Sequence, residues 1–117
     1  MLSRKLGRLN RTLILFSALS FLAYGTGCFT SRYLASEFVR YGFSRQRLLI
    51  GVLQISGAAA LLAGMRLPLL GKAGAGGLAL MMLVAILVRI RIRDGFLRTV
   101  PAILYFLVNS WLALRAY

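Results

Sequence analysis

Four long apolar runs, separated by short polar segments, constrain this chain more than any other feature of its sequence. They cover residues 12–30, 47–65, 72–90 and 99–115. Each has close to the ~20 residues that an α-helix needs to cross a ~30 Å hydrocarbon core. Inside lipid the backbone must satisfy its own hydrogen bonds, so such runs must be helices. The sequence therefore predicts an all-α fold, an integral membrane four-helix bundle.

Composition agrees with lipid as the surrounding solvent. The chain has 117 residues, of which 60% are hydrophobic, and its mean hydropathy is +0.81. A soluble domain is about 45–50% apolar, and a domain this small has too little interior to bury the excess. We expect residues 1–117 to form a single multi-pass membrane domain in contact with membrane lipid.

The residue types that are absent exclude several kinds of chemistry. The sequence has no His, and Cys28 is its only cysteine. An intramolecular disulfide, a zinc site and His-based acid–base catalysis are therefore excluded within one chain. The apolar runs contain no acidic residue, whereas proton-coupled transport normally needs a carboxylate inside the membrane. We expect no metal site and no catalysis by the chain alone.

Basic residues dominate the charge. Lys and Arg number 15 against two acidic residues, for a formal net charge of +13. These residues lie in clusters that flank the apolar runs, as in membrane proteins, and not along one soluble face, so we expect no nucleic-acid partner. The connections after the first and third runs carry eight basic residues, and the opposite side carries seven. Such a balance does not fix the membrane orientation.

The N-terminal run could also be read as a signal peptide, because a basic cluster at residues 4–11 precedes it. However, Gly25 stands three residues before Cys28, where lipoprotein cleavage sites prefer Leu, and three more apolar runs follow. We therefore expect the first helix to be retained.

Residues 31–42 predict a short amphipathic helix in the membrane interface, between the first and second spans. Leu34, Phe38 and Tyr41 recur at positions i, i+4 and i+7, while Glu37 lies on another face. Gly42 is expected to end this helix.

Small residues recur every four positions in the second and third runs: Ser56, Ala60 and Gly64, then Gly71, Ala75 and Ala79. Such ladders let helix backbones approach closely in lipid. They predict a tight hairpin between the two runs, with Pro68 in the turn. The same ladders could serve a homo-oligomer, and the sequence does not decide between these uses.

A first candidate site is an ion network, because both acidic residues lie on the same predicted side as eight arginines. On a continuous helix Arg89 and Arg93 would share one face and Arg91 and Asp94 another. Two interpretations are open: the network only neutralises crowded guanidinium groups, or it forms a lipid- or anion-binding face, since planar guanidinium groups suit phosphate and carboxylate. Its predicted members are Glu37, Arg40, Arg89, Arg91, Arg93 and Asp94.

A second candidate site is a polar layer formed by Tyr24, Gln54 and Tyr105, which lie about six or seven residues inside the arginine-rich side. Asn109 follows one turn deeper. These groups could hold the helices together, or line a pocket for a small amphipathic ligand such as a quinone. Trp111 is expected to be an interface anchor.

Several short segments, in their order and spacing, resemble the DoxX-like small membrane proteins. They are YGTGCF (24–29), SEFVRYG (36–42), GVLQISGAAALLAG (51–64), PLLG (68–71), GLALMML (77–83), VRIRIRD (88–94), PAI (101–103) and Asn109. The resemblance implies a four-helix membrane bundle. It also implies links to thiosulfate:quinone oxidoreduction, membrane redox assemblies or chaperoning of receptor assembly. Residues 27–30 lack the Lys that other branches often carry near the end of the first helix, so no catalytic residue is carried over.

The leading functional prediction is a non-catalytic accessory or assembly subunit of a larger membrane partner, for instance a redox enzyme. The alternative is a quinone-binding redox subunit, and a second alternative is lipid or anion binding by the arginine-rich face. The excess of Arg over Lys and the compact loops favour a bacterial inner membrane.

Overall fold

The computed structural model describes the backbone of residues 2–117 and the side chains of residues 7–43 and 45–117. Over that range the chain is all-helical, with five α-helices and no strand. The helices are α1 (Leu2–Thr30), α2 (Arg32–Tyr41), α3 (Arg47–Ala63), α4 (Pro68–Arg91) and α5 (Phe96–Trp111). A 3₁₀ turn, Ser44–Gln46, precedes α3, and a π-helical segment, Leu112–Ala116, continues α5. The side chains of Arg4 and Lys5, which belong to the N-terminal basic cluster, lie outside the described residues.

Three helical stretches are long and apolar enough to cross a membrane, judged by length and composition. They are Gly7–Thr30, Pro68–Arg91 and Phe96–Ala116, and they match the first, third and fourth predicted spans. The second predicted span is the shorter apolar helix α3, which has 17 residues.

Helices that are close in the chain also pack together. α1 packs on α3, α3 on α4, and α4 on α5, while the π-helical segment packs back on α4. Apolar side chains from α1, α3, α4 and the π-helical segment form the core, and the largest of them are Phe21, Leu61, Leu78 and Leu112. Where α1 crosses α3, a Cβ on Gly51 would lie only 2.9 Å from the Cβ of Cys28. Glycine at this crossing lets the two backbones meet.

The α3–α4 hairpin is as tight as the small-residue ladders predict. A Cβ on Gly74 would lie 2.7 Å from the Cβ of Ala60, and Gly64 and Gly71 leave no room for one at all. The prediction that Pro68 lies in the turn is wrong, because Pro68 is the first residue of α4. Proline is favoured at this position, where a backbone N–H would have no partner within the helix. We call this end of the molecule, formed by residues 61–71 and the C-terminal Tyr117, the hairpin end.

The predicted short helix is present as α2 and has both of its expected ends. The Ser31 hydroxyl accepts a hydrogen bond from the Leu34 amide, which caps the first turn. Gly42 closes the helix with φ +82°, a left-handed conformation that glycine adopts without a Cβ clash.

α4 ends at Arg91, earlier than an unbroken helix through Asp94 would require. Arg93 is left-handed (φ +54°), and the Asp94 amide donates to the Arg89 carbonyl at 2.9 Å. The predicted shared helical face of Arg91 and Asp94 is therefore wrong, because the backbone has already left the helix. We call this end of the molecule, formed by α2 and the α4–α5 connection at residues 92–95, the arginine end.

Polar side chains tie α1 to α5 at three depths. The Ser17 hydroxyl donates to Asn109 Oδ1 at 2.8 Å, and the Tyr105 hydroxyl donates to the Ser20 hydroxyl at 2.9 Å. Where the N-terminal part of α1 meets the end of α5, the Trp111 indole donates to Asn10 Oδ1 at 2.8 Å. These bonds fix the register of the first and last helices.

Candidate functional site

A cavity of about 220 Å³ lies beneath α2, toward the arginine end. All five helices contribute to its wall, and most of the lining side chains are aromatic or aliphatic. α2 covers it with the apolar stripe that the sequence places at Leu34, Phe38 and Tyr41. The stripe thus faces into the protein, toward the cavity. The remaining apolar wall includes Phe21, Phe43, Ile50, Met81, Met82, Val84, Ala85, Val88, Pro101 and Ala102.

The polar part of the wall consists of few groups. Gln54 and Cys28 face each other, with the thiol donating weakly to Gln54 Oε1 at 3.7 Å. Tyr24 and Tyr105 also line the cavity, and their rings meet edge-on with centroids 6.3 Å apart. An apolar chamber with a few separate polar groups is typical of sites for small organic molecules.

Arg89 and Tyr41 connect the cavity to a cluster of charged side chains. Arg89 lines the cavity, and its guanidinium donates to Asp94 Oδ2. Arg40 reaches Asp94 from α2, with Nη1 2.6 Å from Oδ1, and also pairs with Glu37. The guanidinium carbons of Arg40 and Arg89 each lie 5.1 Å from the centre of the Tyr41 ring. These contacts hold α2 over the cavity.

The charges of this cluster are fixed at neutral pH. Hydrogen bonds from Arg40, and then from Arg89, outweigh desolvation and lower the pKa of Asp94 to about 2. The Arg40 hydrogen bond likewise lowers the pKa of Glu37, and both carboxylates raise the pKa of Arg40. Burial raises the pKa of Tyr41, which therefore stays neutral. The Asp94 side chain is only 3% exposed and is the centre of the cluster.

The structure brings together some of the predicted network and not the rest. Glu37, Arg40, Arg89 and Asp94 are in direct contact. Arg91 and Arg93 are exposed and form no ion pair within the described part of the chain. Arg91 is the last residue of α4, and Arg93 lies beyond the end of the helix.

The predicted polar layer divides in two. Tyr24, Gln54 and Tyr105 line the cavity. Asn109 lies outside the cavity and is fully buried. Its amide accepts a hydrogen bond from Ser17 and donates one to the Tyr105 carbonyl at 2.8 Å. Trp111, expected as an anchor, is partly exposed and bonded to Asn10.

Two contributors escaped the sequence analysis. Arg98 lies 3.5 Å from Asp94, and the four-residue spacing between them is a signal that could have identified it. Cys28 was considered only for what a single thiol excludes, and its pairing with Gln54 across 26 residues has no local sequence signal.

This arrangement can bind more readily than it can react. Among the described residues, the polar members of the cavity wall are Gln54, Cys28, Arg89 and three tyrosines, Tyr24, Tyr41 and Tyr105. Within the described residues no group of His, Cys, Asp and Glu could hold a metal ion. Such groups orient a ligand through a few hydrogen bonds while the rings exclude water.

Comparison with known proteins gives one family. The model of the DoxX-like family matches residues 12–113, a stretch that includes the whole cavity wall and the charged cluster. No curated protein and no solved structure matches the chain.

Proposed function

The chain belongs to the DoxX-like family, and from this premise we propose that it is a multi-pass membrane protein that binds one small amphipathic molecule beneath α2. Its three long apolar helices agree with a small membrane protein. The proposed role is binding, because the cavity wall offers hydrogen-bonding groups and no acid–base pair suited to catalysis. The proposed location is a bacterial inner membrane, on the compositional grounds given above.

The outer surface supports insertion of the helices in lipid. Large apolar side chains point away from the core along the whole length of the molecule, with Leu69 81% and Leu107 59% exposed. Water would not favour so many exposed apolar groups, whereas hydrocarbon would. α3 is about 26 Å long at 1.5 Å per residue, and it packs between α1 and α4. We propose that it crosses with them, as the second helix of a four-helix bundle.

One observation carries the binding proposal, namely the 220 Å³ chamber lined mostly by aromatic and aliphatic side chains. An apolar cavity of about 150 Å³ in another protein accepts benzene. The chamber described here would accept a somewhat larger molecule, of about ten non-hydrogen atoms by the same comparison. The Gln54 amide provides a hydrogen-bonding group for one polar atom of such a ligand.

The test is to fill the chamber. Ala85 lines it, so Ala85→Phe should occupy the space, while Ala59→Phe adds the same ring at an exposed position of α3. We expect 1-decanol, measured by saturation-transfer NMR in sugar-detergent micelles, to bind saturably to the unmodified protein and to A59F. Binding to A85F should be at least about tenfold weaker, as expected when a ligand-sized void is lost. Equal signals from A85F and A59F would contradict the proposal.

A quinone is a specific ligand of this kind, because its ring suits the aromatic wall and its carbonyls accept hydrogen bonds. Mass spectrometry of lipid extracts from purified protein tests it. Enrichment of quinone over the A85F extract would identify the ligand, and equal amounts would exclude it.

A second candidate function is that of an accessory subunit, and a shallow groove on the outer face of α3 and α4 favours it. Small residues form the groove, among them Ser56, Gly57, Ala73 and Gly77. Helices of membrane partners pack closely on such surfaces. Gly77→Leu would block the groove, whereas Gly76→Leu, also in open space, would not. Loss of a co-purifying membrane protein from G77L alone would support this function; identical recovery with both variants would oppose it. A second copy of the chain is a further outcome.

A further inference from the structure

We propose that the molecule bound beneath α2 carries an anionic headgroup, which Arg89 binds at the mouth of the cavity while the apolar body fills the chamber. This inference rests on the proposed binding function and adds to it the chemical class of the ligand. It differs from a quinone, which is uncharged.

Arg89 is the cationic group placed to do this. It lies in the last turn of α4, its side chain lines the chamber, and 23% of that side chain is exposed. A guanidinium has five N–H donors in one plane, and Asp94 takes the donor Nη1. The Tyr41 ring, 5.1 Å from the guanidinium carbon, supports one side of the group. The remaining donors can form the paired hydrogen bonds that carboxylates and phosphates accept.

The charge balance around Arg89 favours an anion. Three guanidinium groups, those of Arg40, Arg89 and Arg98, surround the two carboxylates of Glu37 and Asp94. These are the only acidic residues in the sequence, and both remain ionised at neutral pH because their pKa values are lowered. The cluster therefore keeps one unbalanced positive charge. Further basic residues of the same two connections add to it: Arg32, Arg45, Arg47, Arg91 and Arg93.

The distribution of polarity along the chamber sets the direction of the ligand. Arg89 is the single charged side chain of the wall, whereas Val84, Ala85 and Met82, on the same helix, are apolar. A molecule with a charged head and an apolar body would therefore lie with its head at Arg89 and its body along this wall. Two sources share that chemistry: a free carboxylic acid, and an anionic phospholipid that inserts one acyl chain.

The test compares two ligands that differ mainly in charge, decanoate and 1-decanol, at pH 7 in uncharged sugar-detergent micelles. A charge-assisted hydrogen bond is worth about a tenfold change in affinity or more. We expect decanoate to bind about tenfold more tightly than decanol, and added salt to reduce this preference. Arg89→Gln should remove the preference for decanoate over decanol. Arg98→Gln, which alters a cation of the same cluster outside the cavity wall, should retain it.

The outcomes separate the two proposals. Binding of decanol without any preference for decanoate overturns the anionic headgroup and leaves the cavity function intact. Binding of neither ligand overturns the cavity function itself. The comparison of decanoate with decanol on the unmodified protein tests the anionic headgroup even if R89Q does not fold. Displacement of decanoate by phosphatidylglycerol, and not by phosphatidylcholine, would identify the phospholipid as the source; displacement by neither would identify the free acid.

Discussion

The arginine end and the hairpin end of the molecule are packed in different ways. At the hairpin end, Gly64 and Gly71 bring α3 and α4 together, and the Tyr117 ring lies against both glycines. The Tyr117 hydroxyl donates to the Leu61 carbonyl at 2.6 Å. At the arginine end, bulky rings and guanidinium groups meet across the helices and leave a 220 Å³ void beneath them. Close packing thus depends on small residues, and large polar and aromatic ones leave space for a ligand.

The largest expected effect is at the hairpin end. Gly71→Val would place its side chain in the ring of Tyr117, so we expect a loss of about 1–3 kcal/mol in the free energy of unfolding, as for other overpacked sites. Unfolding of the detergent-solubilised protein by SDS measures it. Gly76→Val, five residues further along α4 and in open space, is the matched control. If both variants unfolded alike, the hairpin end would not be tightly packed.

A smaller effect is expected where α1 and α5 are tied between the two ends. Asn109→Leu removes the amide that accepts from Ser17, at a cost of about 1 kcal/mol for an interhelical hydrogen bond in a membrane protein. Ser17→Ala should cost a similar amount. If the bond is the shared cause, the double variant should lose clearly less than the sum of the two. Strict additivity would show that the two side chains act separately.

At the arginine end we expect an acid-sensitive contribution to stability. The Asp94 pKa is about 2, below its ordinary value of 3.8, so the carboxylate contributes fully above about pH 4 and loses its contribution as the pH falls through about 2. The midpoint of thermal unfolding should therefore be constant from pH 7 to about 5 and fall below that, because Glu37, whose ordinary pKa is 4.5, also loses its contribution in acid.

Asp94→Asn should lower the midpoint at pH 7 and flatten this acid limb. The pKa of Glu37 is also lowered, chiefly by its hydrogen bond with Arg40, so this carboxylate contributes to the same acid limb and Glu37→Gln identifies its share. The pKa of Arg40 is raised by both carboxylates, so this guanidinium stays charged over the whole range. An acid limb that persists in D94N would assign it to other groups.

The smallest effect is expected from Ala85→Phe, which inserts a ring into the void at the arginine end. We expect the free energy of unfolding to change by less than about 1 kcal/mol, because the chamber already provides the space that overpacked cores lack. The comparison with G71V, by the same SDS assay, tests the difference between the ends directly. A loss as large as that of G71V would mean that the chamber cannot accept added volume.

Much of the helical framework could be predicted from the sequence. The apolar runs predicted the positions of α1, α3, α4 and α5, and the pattern of Leu34, Phe38 and Tyr41 predicted α2, because both signals are local. The third run, predicted to end at residue 90, agrees with the end of α4 at Arg91. The helical spacing assumed beyond it, for Arg93 and Asp94, was wrong, since the left-handed conformation of Arg93 has no glycine to indicate it. Pro68 was placed in a turn because proline favours both turns and the first residue of a helix.

The candidate site was less predictable, because it depends on contacts between distant residues. Grouping the two acidic residues with the arginines identified Arg40, Arg89 and Asp94, although Arg40 and Asp94 are 54 residues apart. Depth counting placed Tyr24, Gln54 and Tyr105 at one level. It could not show that the Asn109 amide is hydrogen-bonded to Ser17. Nor could it show that a void remains beneath α2, since the size of a void depends on how many side chains from different helices pack together.

The hydrogen bond between Trp111 and Asn10 has a consequence for the bilayer thickness that matches this protein. If the indole lies at the lipid headgroups, as Trp commonly does, Asn10 marks the same level on α1. From there to Thr30, α1 rises about 30 Å at 1.5 Å per residue, close to the thickness of an average hydrocarbon layer. A thinner bilayer would leave a hydrophobic mismatch, which tilting of the whole protein would relieve at a modest cost for each ångström. Bilayer thickness should therefore control its tilt.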